Sequence, residues 1–166
     1  MSYLIGIPLL AVLAILQSTV FNDLTLLDGR PDLILLVIVA WGINARSQDA
    51  MIWGLIGGIF LDLLSGLPLG TSAIILVAIA YLVSFTEGRF WEANFLMPMG
   101  VMILFSFLYH LFNLFIIWIL GKQIDISYTL LRFILPSVFL NLILALPTVQ
   151  LIKSIRNSIY PPEVTI

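Results

Sequence analysis

The sequence predicts an all-α polytopic membrane protein with six transmembrane helices. Of its 166 residues, 61% are hydrophobic and 10% are charged, whereas about a quarter of the residues in soluble domains are charged. The mean hydropathy is +1.16, and the apolar residues form long continuous runs. Such runs favour membrane-spanning helices over a membrane β-barrel, whose strands alternate between apolar and polar residues.

The composition excludes several classes of function. The chain has no cysteine, which excludes disulfides, thiolate chemistry and cysteine-based metal sites, and its one histidine, His110, excludes a histidine-rich metal site. The net charge of −2 is small and argues against nucleic-acid binding. No stretch outside the apolar runs is long enough to bury a core of its own. We therefore expect no soluble domain, no catalytic constellation, no cofactor and no metal.

Six apolar segments predict a single integral-membrane domain over residues 1–166. The expected spans are residues 3–20, 32–44, 50–64, 71–86, 95–120 and 128–152. The N-terminus lacks the basic region of a signal peptide, so the first run is expected to remain as a helix. Pro136 and Pro147 lie inside the sixth span, where neighbouring groups must satisfy the carbonyl that each proline leaves free.

The second and third spans are short. Each has eleven or twelve uncharged residues, about 17 Å of helix, against a hydrocarbon core of ~30 Å. Either Asp32 and Asp62 lie in the polar margin of the membrane, or the pair forms a re-entrant hairpin. We favour two short spans, because Trp41 and Trp53 bracket the polar loop at residues 44–49 as an aromatic belt would.

Six spans place both termini on one side of the membrane. A second interfacial loop is expected at residues 87–92. The basic residues on the side of the termini are Arg46, Arg89, Lys153 and Arg156, and those on the other side are Arg30, Lys122 and Arg132. This weak excess predicts cytoplasmic termini in the bacterial inner membrane.

A ridge of small residues leads to an acid in the third span. Gly54, Gly58 and Asp62 fall at i, i+4 and i+8, so they lie on one helix face, and a Gly-xxx-Gly ridge lets another helix approach closely. The residues that then end the helix are Gly66, Pro68 and Gly70. Two interpretations remain open: a packing ridge whose Asp62 meets interfacial water, or a surface that seats a partner's helix.

Polar residues form stripes inside the last two spans. Ser106, His110 and Asn113 share one face of the fifth span, and Ser137 and Asn141 share a face of the sixth. One interpretation is an interhelical hydrogen-bonded seam that includes Asp32, and the other is a ligand site or proton relay. The seam is favoured, because a relay needs several ionisable groups at membrane depth.

Two motifs resemble the MreD family of rod shape-determining proteins. The first is Arg30-Pro31-Asp32-Leu33, in which Pro31 fits the first helical position and Asp32 complements the helix dipole. The second, more specific motif runs from Gly54 through Leu61-Asp62-Leu63-Leu64-Ser65-Gly66 to Gly70.

The resemblance implies a non-enzymatic scaffold of the machinery that elongates peptidoglycan. Its implied partner is MreC, in a complex with MreB, RodA and a class B penicillin-binding protein. It also implies a fold like that of the S components of energy-coupling-factor transporters, and fold alone does not fix function.

Three functions follow as hypotheses. The first is that the third span, with the turn from Asp62 to Gly70, docks the transmembrane helix of MreC. The second is a small-molecule-binding protein of the S-component type, with a cavity lined by Asp62, His110, Asn113 and Asn141. The third, an intramembrane enzyme, is the least favoured, because no nucleophile, base and orienting group come together in the sequence.

Overall fold

The computed structural model describes residues 2–23, 25–44, 47–85 and 96–160, and their regular secondary structure is helical. The helices are α1 (Ser2–Asp23), α2 (Leu33–Asn44), α3 (Ser47–Leu64), α4 (Thr71–Ser84), α5 (Leu96–Ile119), α6 (Ile126–Tyr128) and α7 (Leu135–Ile159). A π-helical segment, Thr129–Ile134, joins α6 to α7 without a break. The predicted all-α class is confirmed. The predicted loop at residues 87–92, the span limits at 86 and 95 and the tail at 161–166 lie outside the described residues.

Helix α2 lies at the centre of the fold, although it is shorter than every other helix except the single turn α6. Its sequence is apolar on every side, a pattern typical of a helix that is fully enclosed. Ten of its twelve residues are buried, and it packs against α1, α3, α4, α5 and α7. Twelve residues make about 18 Å of helix. The other helices, and not lipid, therefore cover α2.

Among the described residues, two helices are long and apolar enough to cross a membrane. They are Leu96–Ile119 and the continuous helix Ile126–Ile159. Three shorter apolar helices accompany them, at Ile5–Phe21, Leu33–Asn44 and Thr71–Ser84. These lengths fit a membrane protein in which the short helix α2 is enclosed by the other helices.

The two tryptophans near the α2–α3 loop are buried. Trp41 and Trp53 are 0% exposed, and their rings stack with centroids 4.0 Å apart and planes 16° from parallel. The prediction that they form an aromatic belt is wrong. The physical reason is that α2 ends at Asn44 and α3 begins at Ser47, so Trp41 and Trp53 meet across the interface between these two helices. Gly6 of α1 makes room for them, since a Cβ there would lie 2.6 Å from the Trp53 ring.

The glycine ridge of α3 is filled by α4 of the same chain. A Cβ on Gly58 would lie 2.2 Å from the Cα of Ala73, and one on Gly54 would lie 2.9 Å from the carbonyl oxygen of Leu76. The sequence predicted close helix approach at these glycines and left open whether the ridge packs within the protein or seats a partner's helix. The hypothesis of a partner's helix on these two glycines is wrong, because the short turn after Leu64 folds α4 back onto the ridge.

We expect Gly58→Ala to destabilise the protein by about 2 kcal/mol, because the new methyl group would force two packed backbones apart. The matched control is Gly100→Ala in α5, where a Cβ would meet nothing within 4 Å. That control should be neutral or more stable by about 0.5 kcal/mol, since alanine favours helix. Thermal unfolding in detergent measures both changes. Equal melting temperatures for the two variants would contradict this account of the α3–α4 contact.

Candidate functional site

The segment at residues 28–32, between α1 and α2, lies along α7. Its alternate N–H groups donate to three acceptors on that helical arm: Asp28 to the Arg132 carbonyl at 3.1 Å, Arg30 to Ser137 Oγ at 2.9 Å, and Asp32 to Asn141 Oδ1 at 2.7 Å. The spacing of the donors along the segment matches the spacing of the acceptors along the helix. Four residues of extended chain and nine residues of helix each cover about 13 Å.

Pro136 explains why a helix can accept a bond from this segment. Proline has no N–H, so the carbonyl of Arg132 loses its i+4 donor. The Asp28 N–H takes that place, which satisfies the carbonyl as the sequence analysis required. Gly29 permits the close contact, because a Cβ there would lie 2.6 Å from the Ser137 nitrogen and 2.9 Å from the Phe133 oxygen.

Four buried side chains then meet at the start of α2, and we call them the Asp32 network: Asp32, Ser106, His110 and Asn141. Asn141 Nδ2 donates to Asp32 Oδ2 at 2.8 Å and to Ser106 Oγ at 2.6 Å. His110 Nε2 lies 3.0 Å from the same carboxylate oxygen, although its N–H is not aligned for a hydrogen bond. The contact is an ion pair when the imidazole is protonated. The network joins α2, α5 and α7.

The Asp32 network lies deep in the bundle. His110 precedes the end of α5 at Ile119 by nine residues, or about 14 Å of helix. An ionisable group at that depth is costly unless it is paired. Asp32 is 8% exposed and His110 is 5% exposed, so each group finds its partners inside the protein. The charge near the second span therefore lies level with the middle of α5, and not at the margin of the bundle.

The start of α2 differs from the prediction made from Pro31 and Asp32. The helix begins at Leu33, and Asp32 precedes it, with its carbonyl accepting from the Leu36 N–H at 2.9 Å. The Asp32 carboxylate binds Asn141 and leaves the first amides of α2 to another group. Gln17 of α1 accepts from the Ile34 N–H at 3.2 Å. Gln17 was not predicted as a site residue, because a lone glutamine near a helix end has no distinctive pattern.

Asp62 caps α4. Its carboxylate accepts from the backbone N–H groups of Gly70 and Ser72, both at 2.8 Å, and of Ala73 at 3.4 Å. A carboxylate at a helix N-terminus satisfies free amides and complements the helix dipole. Gly70 has φ of 96°, a conformation that favours glycine. Asp62 is 2% exposed, so it meets α4 amides and not interfacial water.

The remaining predicted residues separate into two places. Asn113 is half-buried, its Oδ1 has no hydrogen-bond partner in the part of the chain that the structure describes, and it is not in the Asp32 network. Tyr109 lies beside Asn113 and Ser72, and so lies between the Asp32 network and the Asp62 cap. Gly66 and Gly70 have open space beside them, and Pro68 lies in the same surface turn.

The polar groups of this arrangement have a structural role. The carboxylates of Asp32 and Asp62 and the amide of Asn141 bond to groups of the same chain, so their bonds hold helices together. Among the described residues, no group of three or more histidines or acids could hold a metal. The described residues form an apolar groove at the end of α5 and another between α1 and α7, and Pro31 lines the second of these.

Comparison with known proteins gives one match. The model of the family described as rod shape-determining protein MreD matches residues 1–156. No curated protein and no solved structure matches the chain.

We expect Asn141→Leu to destabilise the protein by about 2–3 kcal/mol, because the Asp32 N–H and one carboxylate oxygen would lose their buried partner. Asn113→Leu is the matched control, since it makes the same change on α5 outside the network. It should cost less, about 1 kcal/mol, because the buried Tyr109 hydroxyl would lose one of its two side-chain partners. Denaturant unfolding in detergent measures both, and a loss that is as large in the control would contradict the network's role.

We expect Asp62→Ala to cost about 2 kcal/mol, because three α4 amides would lose a buried charged acceptor. Asp125→Ala is the control: Asp125 accepts from the Tyr128 N–H at 3.0 Å, but at an exposed site. Water replaces that acceptor, so the loss should be below about 1 kcal/mol. If Asp62→Ala and Asp125→Ala had the same melting temperature, burial of the Asp62 cap would not be the stabilising factor.

Proposed function

We propose that this chain, which belongs to the MreD family of rod shape-determining proteins, is a non-enzymatic membrane scaffold of the bacterial elongation complex. In this role it binds MreC and supports lateral peptidoglycan synthesis and the regulation of cell shape. One structural observation supports the proposal beyond the family itself. The buried acids of the described residues are bonded within the chain, which leaves apolar helix faces as the main surface for contact.

The proposed location is the inner membrane, with six spans and both termini in the cytoplasm. Two contacts are consistent with that alternation. The Tyr128 hydroxyl donates to Asp28 at 2.8 Å, so the loops that follow α1 and α5 share one end of the bundle. The Tyr160 hydroxyl donates to Asp49 at 2.9 Å, so the end of α7 and the start of α3 share the other end.

The proposed direct partner is MreC, through its transmembrane helix, and the wider complex is that of MreB, RodA and a class B penicillin-binding protein. If α3 takes part, it must use residues other than Gly54 and Gly58, which α4 covers. The face of α3 that remains exposed carries Leu55, Ile59 and Leu63. The turn with Gly66, Pro68 and Gly70 continues that surface.

We expect this chain to co-purify with co-expressed full-length MreC from detergent, and to restore rod shape in cells depleted of their own MreD. The physical reason is that a scaffold without catalytic groups acts through its bound partners. Gly100→Ala should behave like the wild type, because that position is open in the structure. A folded wild-type chain that captured no MreC and left the depleted cells round would overturn the proposal.

A further inference from the structure

The contact between Asp32 and His110 brings two ionisable groups together inside the bundle. His110 Nε2 lies 3.0 Å from Asp32 Oδ2, at a depth where a lone charge is costly. A carboxyl group and an imidazole together have no net charge when they hold one proton. With no proton the pair leaves an anion at this depth, and with two it leaves a cation. The surroundings therefore favour the state with one shared proton.

The geometry of the contact indicates where this proton lies. The Nε2–H is not aligned on the carboxylate, and Nε2 has no hydrogen-bond partner among the described residues. A neutral hydrogen bond depends on direction, whereas the attraction between two full charges depends mainly on distance. Asn141 Nδ2 also donates to Asp32 Oδ2 at 2.8 Å, which favours an ionised carboxylate. The contact therefore fits an imidazolium beside a carboxylate.

The basic residues of the neighbouring elements have other positions. Helices α2 and α4, which pack on α5, carry no charged side chain. On the α7 arm, the Arg132 guanidinium lies 5.8 Å from the centre of a tyrosine ring, and Lys153 is about 30 Å of helix further on. Arg30, two residues before Asp32, has a contact of its own. The ion pair that the structure gives to Asp32 is with His110.

Tyr109 and Asp62 are the other titratable groups on this side of α5. The Tyr109 ring meets the His110 ring edge-on, with centroids 5.5 Å apart, and a phenol carries no charge near neutral pH. Asp62 lies beyond Tyr109 and accepts from the backbone N–H groups of α4. Neither group can supply a positive charge to Asp32.

We propose that Asp32 and His110 form a binding site for one proton inside the membrane, and that this proton ties α5 to the start of α2. When the proton leaves, Asp32 keeps its bond to Asn141, and α5 keeps the bond from Asn141 to Ser106 but loses its attraction to the carboxylate. The Asp32 side chain retains 12% of its exposure, which lets the proton exchange. The stability that the proton contributes is present at low pH and is lost as the pH rises.

The chain has one histidine, so a histidine-selective measurement reports on His110 alone. The wild type and Asp32→Asn are labelled with ¹⁵N-histidine and compared by NMR in detergent at about pH 7.5, where a free imidazole is mostly neutral. We expect an imidazolium in the wild type and a neutral imidazole in Asp32→Asn, because the carboxylate stabilises the charge. A neutral imidazole in the wild type would overturn the proposal, and this result does not require the variant to fold.

A second experiment tests whether the proton holds the helices together. Melting temperatures in detergent are compared at about pH 6 and about pH 9 for the wild type and for Asp32→Asn combined with His110→Gln. We expect the wild type to lose about 5 °C more than the double variant, which has no shared proton to release. Asp62→Asn is the matched control. It removes a buried carboxylate that has no histidine beside it, so it should keep the pH dependence of the wild type.

The outcomes separate this inference from the alternatives and from the proposed function. Equal losses in the wild type and the double variant would overturn the tie, and Arg30 would then be the better counter-ion for Asp32. A pH dependence that disappeared in Asp62→Asn would belong to the Asp62 cap, which also overturns the inference. The inference goes beyond the proposed function, because none of these results depends on capture of MreC.

Discussion

A peptide group that leaves its helix inside a membrane has no water to bond, so the protein itself must supply every donor and acceptor. The segment at residues 28–32 runs from the end of the bundle, where Asp28 accepts from Tyr128, to the level of His110, about 14 Å inside the end of α5, so it faces this constraint along its length. The chain meets it with a carbonyl that Pro136 frees and with the side chains of Ser137 and Asn141. Each of these acceptors lies on the α7 arm. The helix therefore supplies the hydrogen-bond acceptors that hold the segment in place.

The same constraint accounts for the short central helix. Because the chain turns back at depth, α2 has room for only about 18 Å, and its polar start must lie inside the bundle. Asp32 marks that start, so its carboxylate needs buried partners, and Asn141 and His110 provide them. The Asp62 cap solves the same problem for α4, with backbone amides in place of side chains. Asp32 thus ties the start of α2 to α7, and Asp62 ties α3 to α4.

Periodicity predicted what lies on one face of a helix, and it could not predict what covers that face. The phase of Ser106 and His110 placed them together, and the glycine spacing indicated a close approach at Gly58. Which helix packs on the ridge depends on the direction in which α4 folds back. The spacing of residues within α3 does not predict that direction. The burial of Trp41 and Trp53 was missed for the same reason, since a tryptophan near a loop fits a membrane interface equally well.

Site residues without a pattern were beyond sequence reasoning. Gln17 caps α2 across a helix interface, and Asn113 stays outside the network although it shares a stripe with His110. Asn113 lies about one helical turn beyond His110, and that difference is enough to keep it away from Asp32. Only the relative rotation and height of two helices settle this, and neither is encoded in the spacing within one helix.

The use of polar groups inside the bundle bears on how such a protein can act. A charged group that already joins α2 to α7 cannot be given to a ligand without loosening the fold, so the described helices present mainly apolar side chains toward the membrane. In a membrane, apolar surface alone gives little preference for protein over lipid. Preference requires a surface fixed in advance. The turn at Leu27, at one end of the bundle, is fixed in this way, because the hydrogen-bonded segment beside it sets its position. The hydrogen bonds that hold the segment on α7 thus also fix the shape of this turn.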